Sequence, residues 1–182
     1  MYKMNILIDV QNEYFAGKLK VTYPNPSNSL NNILKVMDYA KENNIIIIVV
    51  QHTSLWGETF VKGTKEWEIH LEILKKHYDY IIEKNKPSSF HKTNLEEILK
   101  KENIAGIVIS GYMTQMCCDT TARVAFHKNY VVEFLSDATG TVDVQNYAGT
   151  ITSKELHNAT LITQSLKFSH VLSSDEWMGI KK

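Results

Sequence analysis

The sequence predicts a three-layer α/β/α fold, Rossmann-like, around a six-stranded and mostly parallel sheet. Three observations carry this reading. Short β-branched runs alternate with stretches of helical period along the chain. One run, residues 45–51, is apolar almost throughout, as a strand covered by helices on both faces must be. No linker rich in Pro, Gly or Ser and no internal repeat breaks the alternation, so residues 1–182 read as one domain.

The elements follow in order. Residues 4–9 form the first strand. Residues 29–43 form a helix with Leu30, Ile33, Leu34, Met37 and Ala40 on one face. After the strand at 45–51, residues 67–76 have helical period and 78–83 strand character. Thr93 with Glu96 makes a capping box, and Leu95, Ile98 and Leu99 follow at core spacing. Residues 104–110 are a strand, 114–128 a helix, 130–135 a strand, 152–166 a helix and 168–172 a last short strand.

Bulk composition narrows the function. With 182 residues, 43% of them hydrophobic, the chain can build one sizeable core. Lys plus Arg and Asp plus Glu number 20 each, so no basic excess points to nucleic acid, and the expected partner is a small molecule. The start, MYKMNILIDV, lacks the flanks of a signal peptide, and the longest apolar run is too short for a bilayer. The expectation is a cytoplasmic protein with no membrane contact. The two cysteines, Cys117 and Cys118, are adjacent, and the strained ring that neighbours would close makes them reduced thiols.

In a parallel sheet with right-handed crossovers all strand C-termini share one edge, where ligands bind. Asp9, Gln51, His52, Glu83, Lys84 and Gly111 fall at such ends. Cys117 sits one turn into the helix after Gly111. Free N–H groups at a helix start favour thiolate and can receive an oxyanion. A nucleophile also needs a base and a positioning charge, which Asp9 and Lys84 can supply. Taken singly, each has a bland alternative: a small buried hydrophobe for the cysteine, an Asx turn for Asp9 and a solvated side chain for Lys84.

Three segments give these residues a common pattern. GYMTQMCCDTTARVA, residues 111–125, resembles the nucleophile motif G-x-x-T-x-x-C-V with its T-A-R-x-A helix in isochorismatase-like cysteine hydrolases. ILIDVQNEYF resembles the strand-one motif I-D-x-Q-N-D-F of that superfamily. IIEKNKPSSFHKTNLEEILK resembles its third motif, K-x-x-x-S-A-F-x-x-T-x-L. Ser136-Asp137-Ala138 and His157-Asn158-Ala159 are weaker echoes. The resemblance implies a C–N hydrolase of the nicotinamidase-related amidohydrolases, with Cys117 as nucleophile, Asp9 as base and Lys84 as the third member. Lys86 is the rival lysine. Cys118 falls where the motif has Val and reads as a core residue.

The resemblance further implies a non-proline cis peptide between Tyr112 and Met113, an oxyanion hole from the N–H groups of Met113 and Cys117, and a homo-oligomer. Enzymes that resemble the isochorismate-cleaving branch lack the cysteine, so its presence favours amide, ureide or carbamoyl-type substrates. Nicotinamidases carry a metal on an Asp-x-His and a further His. Here Gln51-His52-Thr53 lacks that context and His70 lies in a predicted helix, so neither metal nor cofactor is expected. Phe15, His52, Trp56, Phe90 and Tyr112 are candidate pocket residues, each with ordinary core or backbone satisfaction as its alternative. Residues 54–65, with Gly57 and Gly63, form the candidate variable lid. A catalytically silent binding protein, a nicotinamidase proper and a thiol sensor are the competing readings; a sensor would normally space its cysteines as C-x-x-C.

Overall fold

The computed structural model describes residues 2–180. The chain opens with β1 (Lys3–Ile8), the short helix α1 (Glu13–Ala16) and α2 (Pro26–Glu42). Pro26 starts α2 where its missing N–H costs nothing, and the Asn25 side chain accepts the N–H groups of Ser27 and Asn28. β2 (Ile46–His52), α3 (Leu71–Leu74) and β3 (Tyr80–Lys84) follow, then α4 (Leu95–Lys101) and β4 (Gly106–Tyr112). A π-helical turn over Thr114–Cys118 runs into α5 (Asp119–His127). β5 (Val131–Gly140), the hairpin β6 (Val144–Asn146) and β7 (Gly149–Ile151), α6 (Ser153–Lys167), β8 (His170–Leu172) and α7 (Ser174–Trp177) complete it.

Six strands pair in parallel in the order β3-β2-β1-β4-β5-β8. Alternation along each strand feeds two cores. Met4, Ile6 and Ile8 of β1 face α4 and α5 with Ile48, Val50, Ile107 and Ile109. Leu7 faces the other layer with Ile47, Val49, Val108 and Ile33, Val36 and Met37 of α2. This period of two, with both faces covered, is why β2 is apolar throughout. Among the described residues no helix is long and apolar enough to cross a membrane.

Several elements differ from expectation. The helix expected over 67–76 shrinks to Leu71–Leu74, because the backbone before it serves the loop after β1: the carbonyls of Glu66 and Glu68 accept the N–H groups of Glu13 and Asn12. The Thr93–Glu96 capping box does not form. Asn94 is the N-cap, and the Thr93 hydroxyl donates instead to the Ser89 carbonyl. The helix expected over 114–128 begins as a π turn, β5 extends to Gly140, and the hairpin at 144–151 had no clear signal.

Gly111 shows why this sheet edge needs a glycine. Its φ is +115°, and a Cβ there would lie 1.9 Å from the Ile8 carbonyl oxygen. β4 can therefore approach β1 closely enough to pair Gly111 with Ile8, one residue before Asp9.

Candidate active site

Asp9 follows β1 with a φ of +53°, and its N–H donates to the Val50 carbonyl at 2.9 Å. Lys84 ends β3 two residues after Ile82, which faces the α4/α5 core, so the lysine points to that same side. Cys117 comes from the π turn after β4. All three are buried, and Cys117 keeps 7% of its surface exposed.

The Lys84 ammonium is the hub. Its Nζ donates to Asp9 Oδ2 at 2.7 Å, to Cys117 Sγ at 3.3 Å and to His52 Nδ1 at 3.0 Å. An ammonium has no lone pair, so Nδ1 of His52 is the unprotonated nitrogen. Burial, and then the Lys84 charge, lower the His52 pKa and keep the ring neutral. Lys86 is exposed, away from this arrangement. For Lys84, burial pushes the pKa down, but the charges of Asp9 and Cys117 and its hydrogen bonds to both more than offset this.

The thiol does not behave as the helix-start argument expects. Burial first, and then the Asp9 carboxylate, push the Cys117 pKa well above that of an ordinary thiol, with Lys84 opposing. Cys117 therefore rests protonated. The free oxygen of Asp9, Oδ1, is buried without a hydrogen-bond partner, and a carboxylate oxygen of Asp9 lies within 4.8 Å of Cys117 Sγ. The site thus pairs a thiol proton with an uncommitted buried acceptor.

The π turn also arranges the backbone. The Met113 carbonyl accepts the N–H groups of Met116 at 3.1 Å and Cys118 at 3.3 Å, stepping over that of Cys117. The Tyr112–Met113 peptide is cis. Single-turn π segments of this kind recur at functional sites.

Asp9, His52 and Cys117 together form a set whose ligand atoms lie within 4.8 Å of one another. Their donor chemistry does not fit a metal, since the Lys84 ammonium already contacts all three side chains and a divalent ion there would meet its charge.

The aromatic candidates separate. His52 lies at the hub, and its ring meets Phe60 edge-on at 5.1 Å. Gln11 holds the His52 backbone, accepting its N–H at 2.7 Å and donating to its carbonyl at 2.9 Å. Phe15 packs on His70 at 4.5 Å and on Tyr112 at 5.8 Å. The Tyr112 ring is fully buried and bonded to the Ser29 hydroxyl at 2.8 Å, so it is a core wall. Trp56 is 90% exposed, and Phe60, at a φ of +53°, is the aromatic of the 54–65 loop that turns inward. The Ser89 N–H bonds to the Thr121 hydroxyl and turns that segment against α5, leaving Phe90 stacked on Tyr130.

Two residues near the site escaped the sequence reading. Phe60 looked like any loop aromatic. Tyr14, adjacent to the chosen Phe15, is 2% exposed and packs at 5.3 Å on both Phe60 and Tyr112. Its signal was the strand-one motif, which ends at this position.

Comparison with known proteins adds an independent line. Residues 3–165 match the Isochorismatase domain family model. A secreted isochorismatase effector of Verticillium dahliae is 38% identical over 76% of this chain and 73% of its own. Nicotinamidase 3 of Arabidopsis thaliana is 31% identical over 94% of this chain and 84% of its own. A crystal structure described as a putative isochorismatase, from Burkholderia xenovorans, superimposes with a TM-score of 0.95 at 36% identity, covering 97% of this chain and 86% of that one.

Proposed function

This chain belongs to the isochorismatase family of hydrolases, and from that premise we propose that it cleaves the C–N bond of a small amide, ureide or carbamoyl compound through a thioester on Cys117. The observation that carries the proposal is the Lys84 ammonium, bonded at once to the Asp9 carboxylate and the Cys117 sulfur in a buried site.

Asp9 Oδ1 takes the thiol proton as Cys117 Sγ attacks the carbonyl carbon. The N–H groups of Met113 and Cys117 receive the oxyanion, each donor contributing about 3 kcal/mol to transition-state stabilisation. Collapse breaks the C–N bond, and Asp9 returns the proton to the departing nitrogen. A water molecule then gives a proton to Asp9, attacks the thioester and releases the acid, after which the proton returns to sulfur. Lys84 holds the Asp9 carboxylate in place before attack and stabilises the thiolate during it.

The raised resting pKa of Cys117 supports this order of events, because deprotonation is then coupled to attack. The test is ammonia release from a panel of primary amides, nicotinamide among them, ureides and carbamoyl amino acids. Cys117→Ala is expected to abolish turnover of whichever compound is cleaved. Turnover surviving in that variant would overturn the assignment.

A further inference from the structure

His52 and Lys84 are register partners on the parallel strands β2 and β3, as are Val50 and Ile82 two residues earlier. Val50 and Ile82 both face the α4/α5 core, so the side chains of His52 and Lys84 stand side by side on that face where the strands end. The imidazole is held from two directions. Gln11 fixes both backbone groups of His52, and Phe60 meets the ring edge-on at 5.1 Å. A nitrogen of that ring, a carboxylate oxygen of Asp9 and Cys117 Sγ all lie within 4.8 Å of one another.

The proposed mechanism gives His52 no part, yet the Lys84 ammonium depends on it. An ammonium carries three N–H donors, and this side chain is 0% exposed, so bulk water completes none of them. Asp9 Oδ2 accepts one at 2.7 Å and Cys117 Sγ another at 3.3 Å. His52 Nδ1, at 3.0 Å, is the third acceptor. A buried charged donor left unpaired is costly. Without His52 the ammonium would turn toward its nearest and charged partner, the carboxylate, and give up its longest bond, the one to sulfur.

A neutral ring suits this place better than a second carboxylate, which would add to the charge by which Asp9 already raises the thiol pKa. The charges facing the ring are Lys84 on β3 and Asp9 after β1; Phe60 brings none, and the Cys117 thiol is protonated at rest. Burial and Lys84 outweigh Asp9 and keep the imidazole neutral.

We propose that His52 is a positioning residue: its Nδ1 accepts one N–H of Lys84 and thereby keeps another aimed at the Cys117 sulfur. Protonating the ring would remove this acceptor and set a second cation against Lys84, so the three-way arrangement opens in acid. The inference rests on the reading of Cys117 as the nucleophile.

The test is alkylation of Cys117 by iodoacetamide against pH, followed by peptide mass so that Cys118 is scored apart. In His52→Leu, which has no acceptor, the midpoint is expected to rise by about one pH unit, tenfold less thiolate at a fixed pH. His52→Asn places an amide oxygen where Nδ1 was and is expected to stay close to wild type. An unmoved midpoint in His52→Leu would overturn the proposal. So would an equal rise in both variants, which would make the ring a matter of packing. The wild-type protein gives a check that needs no variant to fold: nitrogen NMR of the ring at pH 7 is expected to show Nδ1 bare and Nε2 protonated, and a proton on Nδ1 would overturn the proposal. None of these readings uses a substrate, so their failure is distinct from failure of the hydrolase reading, which ammonia release decides.

Discussion

Thr114 Oγ1 and His157 Nδ1 lie 2.9 Å apart, in full burial, and join the first residue of the nucleophile's π turn to the middle of α6. Burial lowers the His157 pKa to about 4, so the imidazole is neutral at pH 7. The unfolded chain takes up this proton near pH 6.5, the folded chain only near 4. The stability linked to His157 is therefore complete above about pH 6.5 and declines as pH falls toward 4, by an amount on the order of 3 kcal/mol. Thermal melts of His157→Gln across pH 7 to 4.5 are expected to be flatter than those of the wild-type protein. An unchanged pH slope would remove His157 as its origin.

Asp9 and Lys84 act on the thiol in opposite senses, and this predicts two opposite shifts. Asp9→Asn removes the charge that raises the Cys117 pKa, so the midpoint of its iodoacetamide alkylation against pH is expected to fall. Lys84→Met removes the opposing charge, so the midpoint is expected to rise. Turnover is expected to drop in both, for Asp9→Asn by about 10²- to 10⁴-fold, the contribution of a positioned base. Midpoints that move together would contradict this electrostatic picture.

The same pair makes a stability prediction. Both side chains are 0% exposed. Lys84→Met strands the Asp9 carboxylate in the interior, at an expected cost of about 3–5 kcal/mol in chemical denaturation. The double variant Lys84→Met with Asp9→Leu is expected to recover most of that loss while staying inactive, since neither charge then remains buried alone.

Gln11 tests how firmly His52 must be held. Its amide satisfies both backbone groups of His52 and reaches the Trp67 carbonyl at 2.6 Å. Gln11→Leu leaves these groups unpaired and is expected to cost about 1–3 kcal/mol for each one that stays dry. Denaturant melts check the loss, and hydrogen exchange at the His52 amide is expected to speed up. Protection of that amide equal to wild type would show that Gln11 does not hold it.

Gly111→Ala is expected to be among the most damaging single changes, at about 3 kcal/mol or more, because the new methyl group meets backbone that cannot move aside. Circular dichroism melts give the measurement, and a variant as stable as wild type would contradict the close approach of β4 to β1.

The layered fold was legible in the sequence because burial on two faces writes itself into local pattern. The run at 45–51 and the helical period of 29–43 each sit on neighbours that any doubly covered sheet would supply. Asp9, Lys84 and Cys117 could be nominated for a related reason, since strand ends and the helix start after Gly111 are marked by where apolar runs stop. The coordinates bring these three side chains together at one edge. Strand pattern alone could not say that Lys84 rather than Lys86 meets Asp9, because both share the parity of Ile82; β3 ends at Lys84, and Lys86 lies beyond it.

What only the tertiary structure decided depends on groups remote in sequence. The helix expected at 67–76 gave up its first half because the carbonyls of Glu66, just before it, and Glu68 bond to Glu13 and Asn12. The thiol pKa rose because burial and Asp9 outweigh the opposing charge of Lys84. Trp56 and Phe60 share a loop, and only the packing of Tyr14 and His52 chose which ring turns inward. Local pattern records how often a residue is buried, whereas the charge, partner and direction of a site side chain are set by whatever the fold brings beside it.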